Sequence, residues 1–292
     1  MKQLADEVED RTVSISAVCE ILGLNRATYY NQSQPLQKSQ REIRRERLAF
    51  KIEIIHKESK EIYGAPKITH KLRQEGEVVS EKLVSNIMRE NGLKAHYIKP
   101  RTKTTRECDF SINLTNILNR DFSPKAPNTM WCTDITYIWT KEDGFVYLNS
   151  IMDLFSRKII AWTLSITMEA QVMLECLKTA KKQRHLTKAL VIHSDRGSQY
   201  VSKLYKDLTS KMKTSYSGKG QPWDNAPIES FHALIKREWI YRFTPHDFHD
   251  AKRIVFEYIE GFYNTERIHS YCDYLSPNAF ERRLDDLQKT LS

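Results

Sequence analysis

Residues 193–200 read HSDRGSQY, and the apolar run ALVI (189–192) comes directly before them. The apolar run predicts a buried strand, and a helix-like segment follows from Val201. Asp195 therefore lies at the carboxyl end of a buried strand, the place where open α/β sheets bind their ligands. This position makes Asp195 the first candidate for a functional residue.

Two further acids occupy comparable positions. Asp134 lies within the strand-like segment WCTDITY (131–137), and Glu229 lies one turn into a helix within DNAPIESF (224–231). An ionised carboxylate in an apolar strand is costly unless a cation or a hydrogen-bond donor satisfies it. If the strands of Asp134 and Asp195 are neighbours, their carboxylates converge, and the helix of Glu229 can cross beside them.

Three oxygen donors of this kind suit Mg²⁺ or Mn²⁺. Two such ions in one site are suited to in-line displacement at a phosphodiester. The residues alone leave a second interpretation open, in which each acid caps a turn or pairs with an arginine. A phosphate-binding loop of the form G-x-x-x-x-G-K-[ST] is absent from the sequence, so nucleotide hydrolysis has no support.

The order of strands and helices from Met130 onward predicts an α/β fold. Three strand-like segments, with a hairpin signal at Asp143-Gly144, predict an antiparallel meander: 130–140, 145–155 and 158–165. Further patterns alternate helix and strand: helix 169–184, strand 189–194, helix 201–208, strand 212–215 and helix 226–241. This order predicts a mixed five-stranded sheet with flanking helices. Two helices, near 250–264 and 277–291, complete the pattern.

The region before the sheet reads as all-α. Residues 14–30 predict two short helices broken at Gly23, and residues 40–60 predict one long basic helix. Segments 65–74 and 80–91, separated by Gly76, predict a helix-turn-helix, the outline of many DNA-reading motifs. For residues 14–30, a helical hairpin that only packs explains the pattern equally well. The polar residues 31–40 and the proline-containing residues 94–128 read as connectors.

The bulk composition fits an intracellular globular protein of two or three domains. The chain has 292 residues, a net charge of +9, and 40% hydrophobic residues. A basic protein favours a polyanionic partner, although charge alone also fits a protein that is merely soluble. The five cysteines form no C-x-x-C pair, which argues against a disulfide framework and a structural zinc site. Neither a signal peptide nor a membrane span is expected.

Taken together, these motifs resemble the DDE-type transposase core shared by bacterial insertion sequences and retroviral integrases. More narrowly, the chain is similar to the second-reading-frame transposase of the insertion-sequence-three family. The resemblance extends over nearly the whole chain. It is carried by AVCEILGLNRATYY, YGAPKITHKLRQEG, VSEKLVSNIMRENGLKA, WCTDITYI, YLNSIMDLFSRKIIAW, HSDRGSQY, GKGQPWDNAPIESFHALIKRE and YNTERIHSYCDYLSP.

The resemblance implies a ribonuclease H-like fold and an enzyme that cleaves and transfers DNA strands with two Mg²⁺ ions, for which Mn²⁺ substitutes. By position, the catalytic and metal-binding acids are Asp134, Asp195 and Glu229. Asn225 either orients Glu229 or holds its loop, and His193 either touches substrate or is a satisfied strand-end histidine. We expect DNA contacts from the basic residues Lys236, Arg41, Arg44, Arg45, Lys82 and Lys219.

The expected domains are a helix-turn-helix-like segment (1–35), a helical DNA-binding region (36–95), a linker (96–127), the catalytic core (128–245) and C-terminal helices packed on the core (246–292). The expected partners are double-stranded DNA, as terminal inverted repeats and target, and further copies of the chain on that DNA. The family also implies fusion with the product of an upstream reading frame. We expect a cytoplasmic, nucleoid-associated protein.

One departure from the family pattern lies between the second and third acids. Here 33 residues separate Asp195 from Glu229, two fewer than in the family pattern, and the shortening lies within LTSKMKTSYSGKG (208–220).

Two other functions remain compatible with the sequence. One is a non-catalytic DNA-binding protein from a decayed element, and the other is a ribonuclease H-like nuclease that hydrolyses DNA without joining it.

Overall fold

The computed structural model describes residues 14–23, 25, 26, 29, 38–96, 114–184, 186 and 190–291. Helix α1 spans Ile15–Ile21 and begins after Ser14, whose hydroxyl accepts a hydrogen bond from the Ala17 N–H. The break predicted at Gly23 is present, with φ of +61°. Most of the second helix predicted within 14–30, and residues 97–113 of the connector 94–128, lie outside the described residues.

Three helices form the helix-turn-helix region, as the sequence predicts. They are α2 (Gln40–Glu58), α3 (Ala65–Gln74) and α4 (Glu81–Glu90). Ser39 and Glu42 cap the start of α2 reciprocally, and the Ser80 hydroxyl accepts from the Leu83 N–H at the start of α4. Gly76 lies between α3 and α4 with φ of +85°, a conformation that glycine adopts without steric cost.

The sheet contains the five predicted strands: β1 (Met130–Thr140), β2 (Gly144–Asp153), β3 (Ile159–Ser165), β4 (Val191–Ser194) and β5 (Lys213–Tyr216). Their order across the sheet is β3-β2-β1-β4-β5. Strands β1, β2 and β3 form the antiparallel meander, whereas β4 lies parallel to β1 and to β5. The mixed five-stranded sheet is confirmed, and β1 and β4 are neighbours.

Helices cover both faces of the sheet. Helix α5 (Ala170–Gln183) packs on one face with the short helices α6 (Ser198–Val201) and α7 (Lys203–Leu208). The sequence predicts one helix in place of α6 and α7. The helix is interrupted at Ser202, whose extended backbone ends α6. The Ser202 hydroxyl caps α7 by accepting a hydrogen bond from the Tyr205 N–H.

The opposite face carries α8 (Ala226–Ile235), which continues as a π-helical segment (Lys236–Ile240) and α9 (Tyr241–Phe243). Helix α10 (Phe248–Phe256) likewise continues as a π-helical segment (Glu257–Tyr263), and α11 spans Pro277–Leu291. The sequence predicts these helices but not their wider π-helical turns. One apolar core joins this face to the helix-turn-helix region through residues such as Ile52, Ile68, Ile235 and Ile259.

Part of the predicted connector belongs to this core. Leu118 is buried with the side chains of the sheet and helices. Within the described residues, no helix combines the length and the apolar character that crossing a membrane requires.

Candidate active site

Asp134 and Asp195 lie side by side because β1 and β4 run parallel. Cys132 pairs with His193 in this register, and each acid lies two residues further along its strand direction. The Gly197 N–H donates to Oδ1 of Asp195 over 2.9 Å. Desolvation and the negative charge of Asp134 raise the pKa of Asp195 to about 6. Two carboxylates that repel each other in this way favour a bound cation.

Gly197 lets the chain turn closely around the second acid. A Cβ atom at this position would lie 3.0 Å from Oδ1 of Asp195 and 2.8 Å from Oε1 of Gln199. The Gln199 atom is the end of a flexible side chain, which can move aside, whereas the approach to Oδ1 of Asp195 is tighter than most Cβ contacts. A larger residue at position 197 would therefore press on the Asp195 carboxylate.

Asn225 ties the start of α8 to the strand that carries the first acid. Its Nδ2 donates to the carbonyl oxygen of Thr133, the residue before Asp134, over 3.2 Å. Glu229 follows four residues later in the first turn of α8, and its side chain is exposed. Asn225 thus holds the loop and, through it, fixes where the Glu229 backbone begins its turn beside β1.

His232 also joins α8 to the first acid, and the sequence interpretation missed it. Its Nδ1 lies 3.3 Å from Oδ2 of Asp134, and its Nε2 lies 3.3 Å from Oγ of Ser150 on β2. The side chain is buried. Residues three apart share a helix face, so the spacing between Glu229 and His232 is the one sequence signal that points to this contact.

The three expected acids do not form a close cluster. Throughout the described part of the chain, no group of three or more His, Cys, Asp or Glu side chains is gathered tightly enough to hold a metal ion. Asp134 lies beside Asp195 and His232, and Glu229 lies in the first turn of α8, three residues before His232.

His193 is a satisfied strand-end histidine. The Ser215 hydroxyl oxygen accepts from the Ile117 and Leu118 N–H groups, which leaves its proton for Nδ1 of His193, 2.9 Å away. Nε2 then donates to Oγ of Ser217 over 3.1 Å. Burial lowers the pKa of His193 to about 4, so the ring is neutral. Its contacts hold the end of β5 to β4 and leave neither ring nitrogen for a substrate.

The shortened segment after Asp195 still folds against the sheet. Strand β5 pairs with β4 as far as Tyr216, and buried Asp224 braces the loop that follows. Asp224 accepts from Arg120 Nε over 2.7 Å, from the Gly218 N–H over 2.8 Å and from Asn116 Nδ2 over 3.0 Å. Burial raises the pKa of Asp224, but these donors outweigh it and hold the pKa below its usual value.

Lys236 lies close to the acids, on the π-helical segment after α8. Its Nζ lies 4.6 Å from the centre of the Tyr137 ring. Burial lowers the pKa of Lys236, and the nearby charge of Asp134 opposes that effect.

The other basic residues expected to bind DNA fall into two groups. Arg44 donates to the Val78 carbonyl oxygen over 2.7 Å, and Arg45 forms an ion pair with Glu90 over 2.7 Å. These two arginines hold α2 against the helices that follow it. The remaining members of the set are exposed on the surface: Arg41, Lys82 and Lys219.

Three family models match the chain. An HTH-like domain matches residues 43–101, and two integrase core domain models match residues 124–222 and 210–277. The HTH-like model covers the helix-turn-helix region. The two integrase core models cover the sheet, α8 and the helices after it as far as the start of α11.

Curated relatives match over nearly their full length. A transposase for insertion sequence element IS904 of Lactococcus lactis is 38% identical over 246 residues, which span 84% of this chain and 97% of the relative. Transposase InsF for insertion sequence IS3A of Escherichia coli is 34% identical over 288 residues, which span 97% of this chain and 99% of the relative.

Among solved structures, a simian T-cell lymphotropic virus intasome in complex with PP2A regulatory subunit B56 gamma aligns at 13% identity. The alignment covers 79% of this chain and 74% of the viral chain, with a TM-score of 0.45.

Proposed function

Because the chain belongs to the IS3 family of DDE-type transposases, we propose that Asp134, Asp195 and Glu229 are the acids with which it cuts and joins DNA. The enzyme is a polynucleotidyl transferase of DNA transposition. The observation that carries the residue assignment is the adjacency of Asp134 and Asp195 at the end of β1 and β4, with α8 tied to the same strand by Asn225.

The residues present fit a divalent cation, which we propose to be Mg²⁺, with Mn²⁺ as a substitute. Asp134 and Asp195 repel each other, and Oδ1 of Asn225 is buried without a hydrogen-bond donor among the described residues. Asp134, Asp195 and Glu229 would hold two ions. When bound, these would activate the attacking oxygen and stabilise the leaving oxygen of an in-line displacement.

The side chains of the site would hold the reacting groups in place. His232 and the Gly197 N–H fix the first and second acids, so neither carboxylate has to reorganise when DNA arrives. Lys236 would neutralise a phosphate next to the reacting one. These contacts align a phosphodiester for attack from the side opposite its leaving oxygen.

Two displacements would follow one another at this site. Water first attacks a phosphodiester at the end of the element. This cleavage leaves a 3′-OH on the element end and a 5′-phosphate on the other fragment of the same strand. That 3′-OH then attacks a phosphodiester of the target and releases a 3′-OH there. The second step exchanges one phosphodiester for another, so it needs no ATP.

The helix-turn-helix region would bring the element ends to the core. Phosphate contacts would position it on the duplex, and α4 would read bases. We propose that the substrate is the terminal inverted repeat plus a target duplex, and that copies of the chain assemble on them. We also propose that a fusion with an upstream reading frame is the active species, and that the protein acts at the nucleoid, where its DNA lies.

The test is cleavage of a labelled duplex that carries the element's terminal sequence, read from the DNA that flanks the gene. The wild type should nick this duplex in Mg²⁺ and not in EDTA. Asp134→Asn, Asp195→Asn and Glu229→Gln should each abolish nicking. Glu175→Gln, an isosteric change at an exposed acid of α5, is the matched control and should leave nicking unchanged.

The same assay separates the alternatives. Binding without nicking by the wild type would favour a non-catalytic DNA-binding protein. Nicking that survives Asp195→Asn would refute the assignment of that acid. Hydrolysis that never yields joined products would indicate a plain nuclease.

A further inference from the structure

Three exposed aromatic rings lie together near the turn of the β1–β2 hairpin. Tyr137, Trp139 and Phe145 are 38%, 54% and 49% exposed. Trp139 and Phe145 are cross-strand partners whose ring centres lie 4.9 Å apart, and the Phe145 ring lies 5.3 Å from that of Tyr137. Residues two apart on a strand share a face, so the rings form one continuous surface. Three large exposed rings in contact are more than scattered surface apolar residues.

These rings line one side of a groove of about 250 Å³, the aromatic groove. Its opposite side comes from the π-helical segment and α9, with the exposed ring of Tyr241 and the side chain of Ile240. Lys236 also lines the groove and lies against the Tyr137 ring. The groove therefore combines exposed π-faces with a cation.

Lys236 connects the aromatic groove to the first acid. Tyr137 follows Asp134 by three residues on β1, about 10 Å along an extended strand, so its side chain leaves the strand on the opposite face from that of Asp134. Lys236 follows Glu229 by seven residues, about two helical turns, and its charge interacts with that of Asp134. Strand β4 pairs with β1 only from Met130 to Cys132, so the half of β1 that bears the groove extends beyond β4.

Resting on the function proposed above, we propose that the aromatic groove binds one unstacked nucleobase of the DNA strand whose phosphodiester lies at the acids, with Trp139 as its stacking surface. Aromatic side chains stack on any base, because every base offers a π-face. Lys236 complements the phosphates on either side of such a base. Bases at a duplex end leave the stack at low cost, so the strand to be cut can supply one.

The positive charge of Lys236 distinguishes between two candidate occupants of the aromatic groove, a second copy of the chain and a DNA strand. A second copy of this basic chain, whose net charge is +9, would bring more positive charge toward Lys236. A DNA strand brings negative charge on both sides of the base. Electrostatic complementarity therefore favours DNA.

The experiment measures DNA binding without cleavage, in the Asp195→Asn background and without divalent ions. Fluorescence anisotropy compares a fully paired duplex end with the same duplex carrying a short unpaired terminus. Trp139→Ala should weaken binding of the unpaired terminus by about 5- to 100-fold, the loss of one base stack, and should weaken the paired end less. Trp139→Phe should retain most of the affinity. Phe256→Ala, at a ring that is 55% exposed on α10, is the matched control and should change nothing.

Two results would overturn the proposal. One is unchanged binding of the unpaired terminus by both Trp139→Ala and a second variant, Phe145→Ala. The other is a concentration-dependent dimer, seen by sedimentation without DNA, that Trp139→Ala abolishes. Because this assay needs no catalysis, its outcome is independent of the nicking assay. Wild-type protein that binds the unpaired terminus through Trp139 but never nicks DNA would refute the proposed function and support the base site.

Discussion

The Nδ1 atom of His232 lies 3.3 Å from Oδ2 of Asp134. This contact links the helix that carries Glu229 to the strand that carries the first acid, across 98 residues of sequence. Nε2 of the same ring faces Oγ of Ser150 on β2, so both ring nitrogens have polar neighbours. His232 is therefore a positioning residue that sets the orientation of the Asp134 carboxylate.

Replacing His232 by Ala should lower the rate of strand cleavage by about 10- to 100-fold, the value of a hydrogen bond to a charged group. Asn retains an N–H donor at a similar place and should recover part of the rate. Cleavage rates at saturating DNA measure the effect, and His249→Ala at an exposed histidine is the control. A loss of folding without rescue by Asn would show that His232 acts only in packing.

Asp153 should make the stability of the protein depend on pH. Burial raises the pKa of this carboxyl from 3.8 to about 6, although the Asn128 and Phe155 N–H groups donate to it. The folded state then binds more protons than the unfolded state between these pH values. The free energy of unfolding therefore falls as the pH rises from about 4 to about 6, and it does not recover above that range.

The Asp153→Asn variant carries an amide at this position, and an amide does not titrate in this pH range. Relative to the variant, the wild type should lose up to about 3 kcal/mol between about pH 4 and about pH 7. Urea unfolding of both proteins at the two pH values measures the difference. An equal stability difference at both pH values would contradict the raised pKa of Asp153.

The sequence predicts the fold well because its signals are local. The alternation in 130–140, the apolar run before Asp195 and the cap at Ser80 each specify an element through a few neighbouring residues. The adjacency of β1 and β4 is only a condition of the site prediction, and the pairing in the folded sheet meets it. Departures occur where one residue changes the local backbone, as Ser202 does between α6 and α7.

The site is predicted less completely because its contacts are long-range. His232 meets Asp134, Arg120 meets Asp224, and the serines of β5 satisfy His193 only after the chain has folded. Hydrophobic periodicity says nothing about such partners. The basic residues of α2 illustrate the same limit, since Arg45 meets Glu90 in the folded chain.

A buried ion pair unites the C-terminal helices with the core. Arg267 donates to both carboxylate oxygens of Glu238, over 2.6 and 2.8 Å, and the Tyr258 hydroxyl donates to the same carboxylate over 2.7 Å. Arg267→Met should cost about 3–5 kcal/mol, since it leaves Glu238 buried and unpaired. The double variant with Glu238→Met should recover most of this loss. Chemical denaturation measures both, and additive losses would contradict a coupled pair.

Arg41 and Lys82 should contribute to DNA affinity through phosphates. Each is exposed, so alanine at either position should reduce the slope of log affinity against log salt concentration by about 1. Arg45→Ala, which breaks the ion pair with Glu90, should change the slope less. Equal slope changes for Arg41 and Arg45 would show that Arg45 leaves Glu90 when DNA binds.

In the proposed mechanism, one set of acids performs both cleavage and joining. Strand transfer of a pre-cleaved element end, with its 3′-OH already present, tests it most directly because the first displacement is bypassed. The wild type should join this end to target DNA in Mg²⁺, and Asp134→Asn, Asp195→Asn and Glu229→Gln should each abolish joined products while DNA binding persists. Joined products from any of the three variants at the wild-type level would contradict the claim.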